Sequence, residues 1–190
     1  MMRQMRSFVL KLSLCLGLVA SPVQAQTSPQ LLEQGKAAYA AGDFSKAERM
    51  FSEALGLAPK NAGAYNSRGL ARANLGDTQG AITDFTQAIK FEPNYAEAYM
   101  NRGVIHGELG DTPGAMADYA QAIKLKPDYA TAYYNRGHDR AALSDTEGAI
   151  EDYTQAIKFK PNYANAHNNR GDARAALGDK QGATKVLHKH

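Results

Sequence analysis

The chain has 190 residues, of which 22 are Lys or Arg and 19 are Asp or Glu, with one cysteine. Arg3, Arg6, Lys11 and the lone Cys15 all fall in residues 1–25, which hold no acidic side chain, so the remaining 165 residues balance at 19 against 19. A near-neutral body excludes the basic field that gathers nucleic acid or an anionic membrane surface, and a body without cysteine excludes disulfides and thiol nucleophiles.

Residues 1–25 have the layout of a secretory signal peptide. Arg3 and Arg6 precede an apolar run from Leu12 to Ala20, and Val23-Gln24-Ala25 supplies small residues for cleavage. The run is too short to cross about 30 Å of hydrocarbon as a helix. Cleavage is expected after Ala25, with an uncleaved N-terminal anchor as the alternative. Leu14 ahead of Cys15 argues against a lipoprotein signal, which takes a small residue there. The expected location is periplasmic or secreted, with no membrane span once the signal is removed.

From residue 28 onward the sequence repeats itself. Tyr65-Asn66-Ser67-Arg68-Gly69 returns as Tyr99-Met100-Asn101-Arg102-Gly103, Tyr133-Tyr134-Asn135-Arg136-Gly137 and His167-Asn168-Asn169-Arg170-Gly171. Gly35, Gly69, Gly103, Gly137 and Gly171 are each 34 residues apart. Ala47, Ala81, Ala115, Ala149 and Ala183 hold the same register, as do Phe51, Phe85, Tyr119, Tyr153 and Leu187. Pro59, Pro93, Pro127 and Pro161 close the first four units. The expected units are about 28–61, 62–95, 96–129, 130–163 and 164–190, within one domain spanning 26–190.

Each unit reads as two helices. Ala64, Tyr65, Gly69, Arg72 and Ala73 share one face at three- and four-residue steps, and Ala81, Ile82, Phe85, Ala88 and Ile89 form a second stripe. Gly76-Asp77 breaks the chain between them. Thr78 is the expected cap of the second helix and Asn94 that of the next unit. A glycine inside a helix costs about 1 kcal/mol against alanine, which is offset if it lets two helix backbones approach closely. One unit cannot bury its stripe alone, so the units must stack.

This pattern resembles the tetratricopeptide repeat, whose 34-residue hairpins carry aromatic, Gly, Ala, aromatic and Pro positions in this order. The resemblance covers about residues 28 to 190. It implies an all-α fold, a right-handed α-solenoid of about five stacked helix–turn–helix repeats. The chain departs from the family where a leucine is usual, at Arg68, Arg102, Arg136 and Arg170, and where a tyrosine is usual, at Arg72, His106, Arg140 and Arg174.

No constellation for chemistry is legible, and the chain is expected to be no enzyme, with no cofactor and no metal. His106, His138 and His167 occupy different columns of the repeat and should not converge, while His188 and His190 sit near the end of the chain. Phosphate-loop, GxSxG and HExxH patterns are absent. Folding each hairpin about its Gly-Asp turn sets Asp84 opposite Arg68, Asp118 opposite Arg102 and Asp152 opposite Arg136. Two readings stand: an internal Arg–Asp ladder, or a basic stripe for an anionic ligand. The column Arg72, His106, Arg140 and Arg174 has less obvious partners and is the better place for such a ligand.

The family resemblance implies a partner peptide or helix in the concave groove lined by the first helices. The groove positions implied are Asn66, Leu70 and Asn74; Met100, Val104 and Glu108; Tyr134 and His138; and Asn168 and Asp172. The column Ala73, Gly107, Ala141 and Ala175 either floors the groove or merely eases stacking. Family members that clamp a C-terminal carboxylate use cations as well as asparagines. Here Asn101, Asn135 and Asn169 are available, but Asn66, Met100, Glu97 and Thr131 stand where the cations belong, which argues against that clamp. The expected partner is therefore a protein or peptide of other chemistry and no nucleic acid. The alternative is a structural subunit that self-associates through its C-terminal repeat near Leu177 and Leu187.

Overall fold

The structure is a computed structural model and describes residues 26–178. The expected signal segment 1–25 and the final stretch 179–190, with Val186, Leu187, His188 and His190, lie outside the described residues. Nine helices are present among the described residues: α1 Ser28–Ala40, α2 Phe44–Leu57, α3 Ala62–Asn74, α4 Thr78–Phe91, α5 Ala96–Glu108, α6 Thr112–Leu125, α7 Ala130–Ala142, α8 Thr146–Phe159 and α9 Ala164–Ala176. The odd-numbered helix of each repeat packs against the even-numbered one that follows, giving an all-α array of hairpins.

Odd-numbered helices also touch the next odd-numbered helix, from α1 through α9, whereas the even-numbered helices make no such contact with one another. The array therefore bends with α1, α3, α5, α7 and α9 on its inner side.

The glycine column explains the hairpins, with one correction to the expectation. Gly69 faces an aromatic ring of the partner helix, not its bare backbone. A Cβ there would stand 2.7 Å from Cε1 of Phe85, and on Gly103 or Gly137 it would stand 2.9 or 3.0 Å from Tyr119 or Tyr153. The rings of Phe51, Phe85, Tyr119 and Tyr153 are in consequence almost wholly buried. Alanines fill the remaining seams. Ala81 and Phe85 of α4 pack with Ile105 of α5, and Ala62 of α3 packs with Ala88 and Ala98.

The helix starts differ by one residue from expectation. Asp77, not Thr78, caps α4 by accepting from the Gly80 N–H at 2.9 Å. Asp111 and Asp145 do the same for α6 and α8. Tyr95, not Asn94, is the residue before α5, and its side chain makes no cap bond; Tyr129 and Tyr163 repeat this. Only the first two residues of that column accept from a helix N–H among the described residues, Thr27 from Gln30 and Asn61 from Ala64. The prolines fall two residues past the ends of α2, α4, α6 and α8, as the period implies.

Candidate functional site

Two sides of the odd-numbered helices carry the polar residues singled out by the sequence. The side turned toward the even-numbered helices holds the Arg–Asp ladder. Arg68 grips Asp84 through Nε at 2.9 Å and Nη2 at 2.7 Å; Arg102 grips Asp118 at 2.8 and 2.7 Å; Arg136 grips Asp152 at 2.8 and 2.7 Å. The aspartates are buried and the arginines half-buried. Such two-point pairs supply the charge-assisted bonds that a buried carboxylate requires. These bonds outweigh burial and raise all three guanidinium pKa values above their ordinary range.

Three of the four residues in the second basic column, Arg72, His106 and Arg140, reach the ladder aspartates, so the column expected to have less obvious partners is largely partnered. Nη1 of Arg72 lies 3.0 Å from Asp84, Nη1 of Arg140 lies 3.1 Å from Asp152, and Nε2 of His106 lies 3.9 Å from Asp118. Arg72 also meets Glu48 at 3.0 Å, and Nδ1 of His106 meets Asp111 at 2.8 Å. Each aspartate thus serves two basic residues one helical turn apart. Arg170 differs: its Nε is buried without a hydrogen-bond partner among the described residues, and its Nη1 reaches Thr154 Oγ1 at 3.4 Å. Burial and the nearby Arg174 push its pKa down.

The other side is the inner face of the array. Among the described residues three cavities open along it at the repeat interval, of about 210, 240 and 380 Å³. The first lies between α3 and α5 and is lined by Leu70, Asn74, Val104 and Glu108 with Phe85 at its base. Val104 and Glu108 also wall the second, together with Tyr119, His138 and Asp139. His138 passes on to the third, where Asp172, Ala141 and Ala176 join it above Tyr153. The small column shapes these openings: Ala73 lines the first, Gly107 the second and Ala141 the third.

Asn66, Met100, Tyr134 and Asn168 do not line these cavities. The first three lie in the seams between repeats. Asn101 donates to Asn66 Oδ1 at 3.0 Å, Asn135 to Met100 Sδ at 3.5 Å, and Asn169 to Tyr134 Oη at 3.4 Å. Asn66 is buried, and Tyr134 packs against the rings of Tyr153 and Tyr163, with centroids 5.9 and 4.8 Å away. Asn168 is exposed. The asparagines of the rejected clamp are thus engaged in joining one repeat to the next.

Asp139 is the cavity residue that sequence reasoning missed. Its carboxylate accepts from Tyr119 Oη at 3.2 Å and lies 3.3 Å from Nδ1 of His138. Burial, then Asp139, raises the Tyr119 pKa far above its usual value, so the phenol stays a donor. A signal existed in the register: Ala71, Ile105 and Ala173 are apolar where Asp139 is charged. His106, His138 and His167 do not converge; Nε2 of His167 faces the Pro161 carbonyl at 2.9 Å. Among the described residues no group of three His, Cys, Asp or Glu side chains is placed to hold a metal ion, and no helix is long and apolar enough to cross a membrane.

Comparison with known proteins gives a consistent picture. A family model described as the tetratricopeptide repeat matches residues 32–96, and one described as the TPR repeat matches 108–139 and 137–178. No match is found among curated proteins. Among solved structures, a MamA protein is 26% identical with a TM-score of 0.72, covering 84% of this chain and 87% of its own. The TPR domain of Arabidopsis OM64 is 31% identical with a TM-score of 0.60, over 61% of this chain and 96% of that one. YrrB, described as a TPR protein with an unusual peptide-binding site, is 18% identical with a TM-score of 0.65, over 84% of this chain and 82% of its own, and shows the fold alone.

Proposed function

The chain belongs to the tetratricopeptide-repeat family, a non-catalytic family of protein-interaction scaffolds, and on that premise we propose that it holds a partner peptide or helix in its inner groove, outside the cytoplasm. The observation that carries the groove reading is the row of three cavities at the repeat interval, each sharing a wall with the next. A partner laid along the odd-numbered helices meets one opening per repeat, so side chains at regular spacing enter successive cavities. The leader pattern of residues 1–25 supports a periplasmic or secreted location.

A second reading, self-association, draws on Leu75, Leu109, Leu143 and Leu177. They stand where α3, α5, α7 and α9 end, and are 44, 54, 55 and 52% exposed. Photo-crosslinking in intact producing cells separates the two readings. A crosslinking residue at Val104 or Ala141 in the groove should trap a partner polypeptide, whereas one at Ala117, exposed on α6, should not. Adducts from Ala117 and none from the groove overturn the proposal. Chain-to-chain adducts from Leu143 favour self-association.

A further inference from the structure

The charges of the inner groove point to the chemistry of what it binds. Among the described residues the acidic side chains that line its three cavities are Glu108, Asp139 and Asp172, and no lysine or arginine lines any of them. The arginines of α3, α5 and α7, namely Arg68, Arg72, Arg102, Arg136 and Arg140, are committed to the ladder, and Arg170 and Arg174 of α9 line none of the three cavities. In the first repeat Lys36 occupies the register of Leu70, and it is paired with Glu33 at 2.8 Å. Glu108 and Asp172 are exposed and make no hydrogen bond or ion pair among the described residues.

The central cavity, about 240 Å³, is shaped around the third carboxylate. Gly107 stands where Ala73, Ala141 and Ala175 stand in the other repeats, and a Cβ on it would lie 2.6 Å from Asp139 Oδ2. The missing methyl leaves room for the carboxylate at the wall. Tyr119 takes the place of Phe85 in its column and supplies a phenol proton to it. Asp84, Asp118 and Asp152 are each neutralised by a two-point arginine. Asp139 has no Lys or Arg on it: it accepts from the Tyr119 phenol at 3.2 Å and faces Nδ1 of His138 at 3.3 Å, a contact that is ionic only when that ring is protonated, which leaves its carboxylate open to a cation from the cavity. An engineered cavity of about 150 Å³ holds benzene, so this one has room for a single long side chain.

We propose that the groove selects a basic peptide, seating one Lys or Arg side chain in the central cavity between Glu108 and Asp139, with Asp172 drawing further positive charge toward α9. This rests on the groove reading above and names the partner's chemistry. A cation entering the cavity gives up part of its hydration and regains it as charge-assisted bonds to the two carboxylates. The field of three carboxylates that have no Lys or Arg partner among the described residues speeds its approach and weakens with salt.

The test exposes the immobilised full chain to a degenerate peptide library and sequences the retained pool. Lys and Arg should be enriched at least about threefold at one position, with Asp and Glu depleted. Glu108→Gln with Asp172→Asn, both without partners among the described residues, should reduce that enrichment and leave the melting temperature unchanged. Asp139→Asn should abolish it in protein that still melts cooperatively. Retained peptides without cationic preference that Val104→Ala displaces overturn the charge inference and leave the groove reading standing. Cationic enrichment untouched by all three carboxylate substitutions also overturns it, because another surface is then responsible. Retention unaffected by Val104→Ala and Leu70→Ala, or no retention at all, overturns both.

Discussion

The ladder shows how strongly one residue's contribution depends on its neighbour. Asp84, Asp118 and Asp152 are 1, 5 and 2% exposed, so losing a partner exposes none of them to water; it leaves a buried charge short of bonds. Such a loss costs roughly 1–3 kcal/mol. The second partner sets where in that range each falls. Arg68→Leu leaves Asp84 with Arg72 at 3.0 Å, and Arg136→Leu leaves Asp152 with Arg140 at 3.1 Å, but Arg102→Leu leaves Asp118 only His106 at 3.9 Å. Arg102→Leu should therefore be the most destabilising of the three in urea unfolding. Adding Asp118→Leu to it should recover much of the loss, because an apolar pair replaces a broken ionic one. An additive double mutant, or a ranking with Arg102→Leu least harmful, would refute this account. The second column was misread from the sequence because the pairing was counted one to one. An ionised carboxylate accepts from two directions, and a basic residue one turn along reaches the side of it that the first leaves free.

At the scale of the hairpin, the turn between paired helices sets a backbone requirement that one repeat violates. Gly42, Gly76, Gly110 and Gly178 have φ between 77 and 83°, and their neighbours close the helix end through bonds such as Asp77 N–H to the Arg72 carbonyl at 2.9 Å. The fourth repeat puts Ser144 there, at φ 65°. An L-residue in that conformation costs about 1–2 kcal/mol, part of which glycine returns as extra unfolded-state entropy. Ser144→Gly should thus raise the stability of the array by about 0.5–1 kcal/mol, and Gly110→Ser should lower it by a like amount. Thermal unfolding measures both, and a neutral or destabilising Ser144→Gly would count against strain at this turn. Helices, turns and stacking were legible in the sequence because a 34-residue period imposes the same local solution on every unit. The cap residues were not. Asp77 and Thr78 are both capable caps, and only the path of the chain decides which has the free oxygen. Nor was the fate of Tyr134 and Met100 legible. A helical side chain leans back over the preceding turn, and that tilt carries this column into the seam between repeats instead of the cavities beside it.

In the whole molecule, cohesion passes only between neighbours. Each helix touches the one before it, the one after it and, for the odd-numbered set, the next odd helix; among the described residues no contact joins the first repeat to the third. Stability in such an array is a sum of repeat and interface terms, so a local defect should stay local. Gly69→Ala provides a sharp defect. Its Cβ would stand 2.7 Å from the Phe85 ring, which is itself fully buried beside Ala81 and Ile105. Overpacking of that kind costs about 1–3 kcal/mol, and it strikes a place where α3, α4 and α5 meet. Native-state hydrogen exchange should therefore quicken in α3 and α4, less in α2 and α5, and hardly at all in α8 and α9. The groove readings depend on this gradient. If binding is distributed over cavities in successive repeats, a partner seated on α5 to α9 should be held almost normally by Gly69→Ala protein. Exchange rising equally in all nine helices would mean that the array opens as a single unit. The defect would then be felt at every cavity, and the repeat-by-repeat account of both stability and binding would fail together.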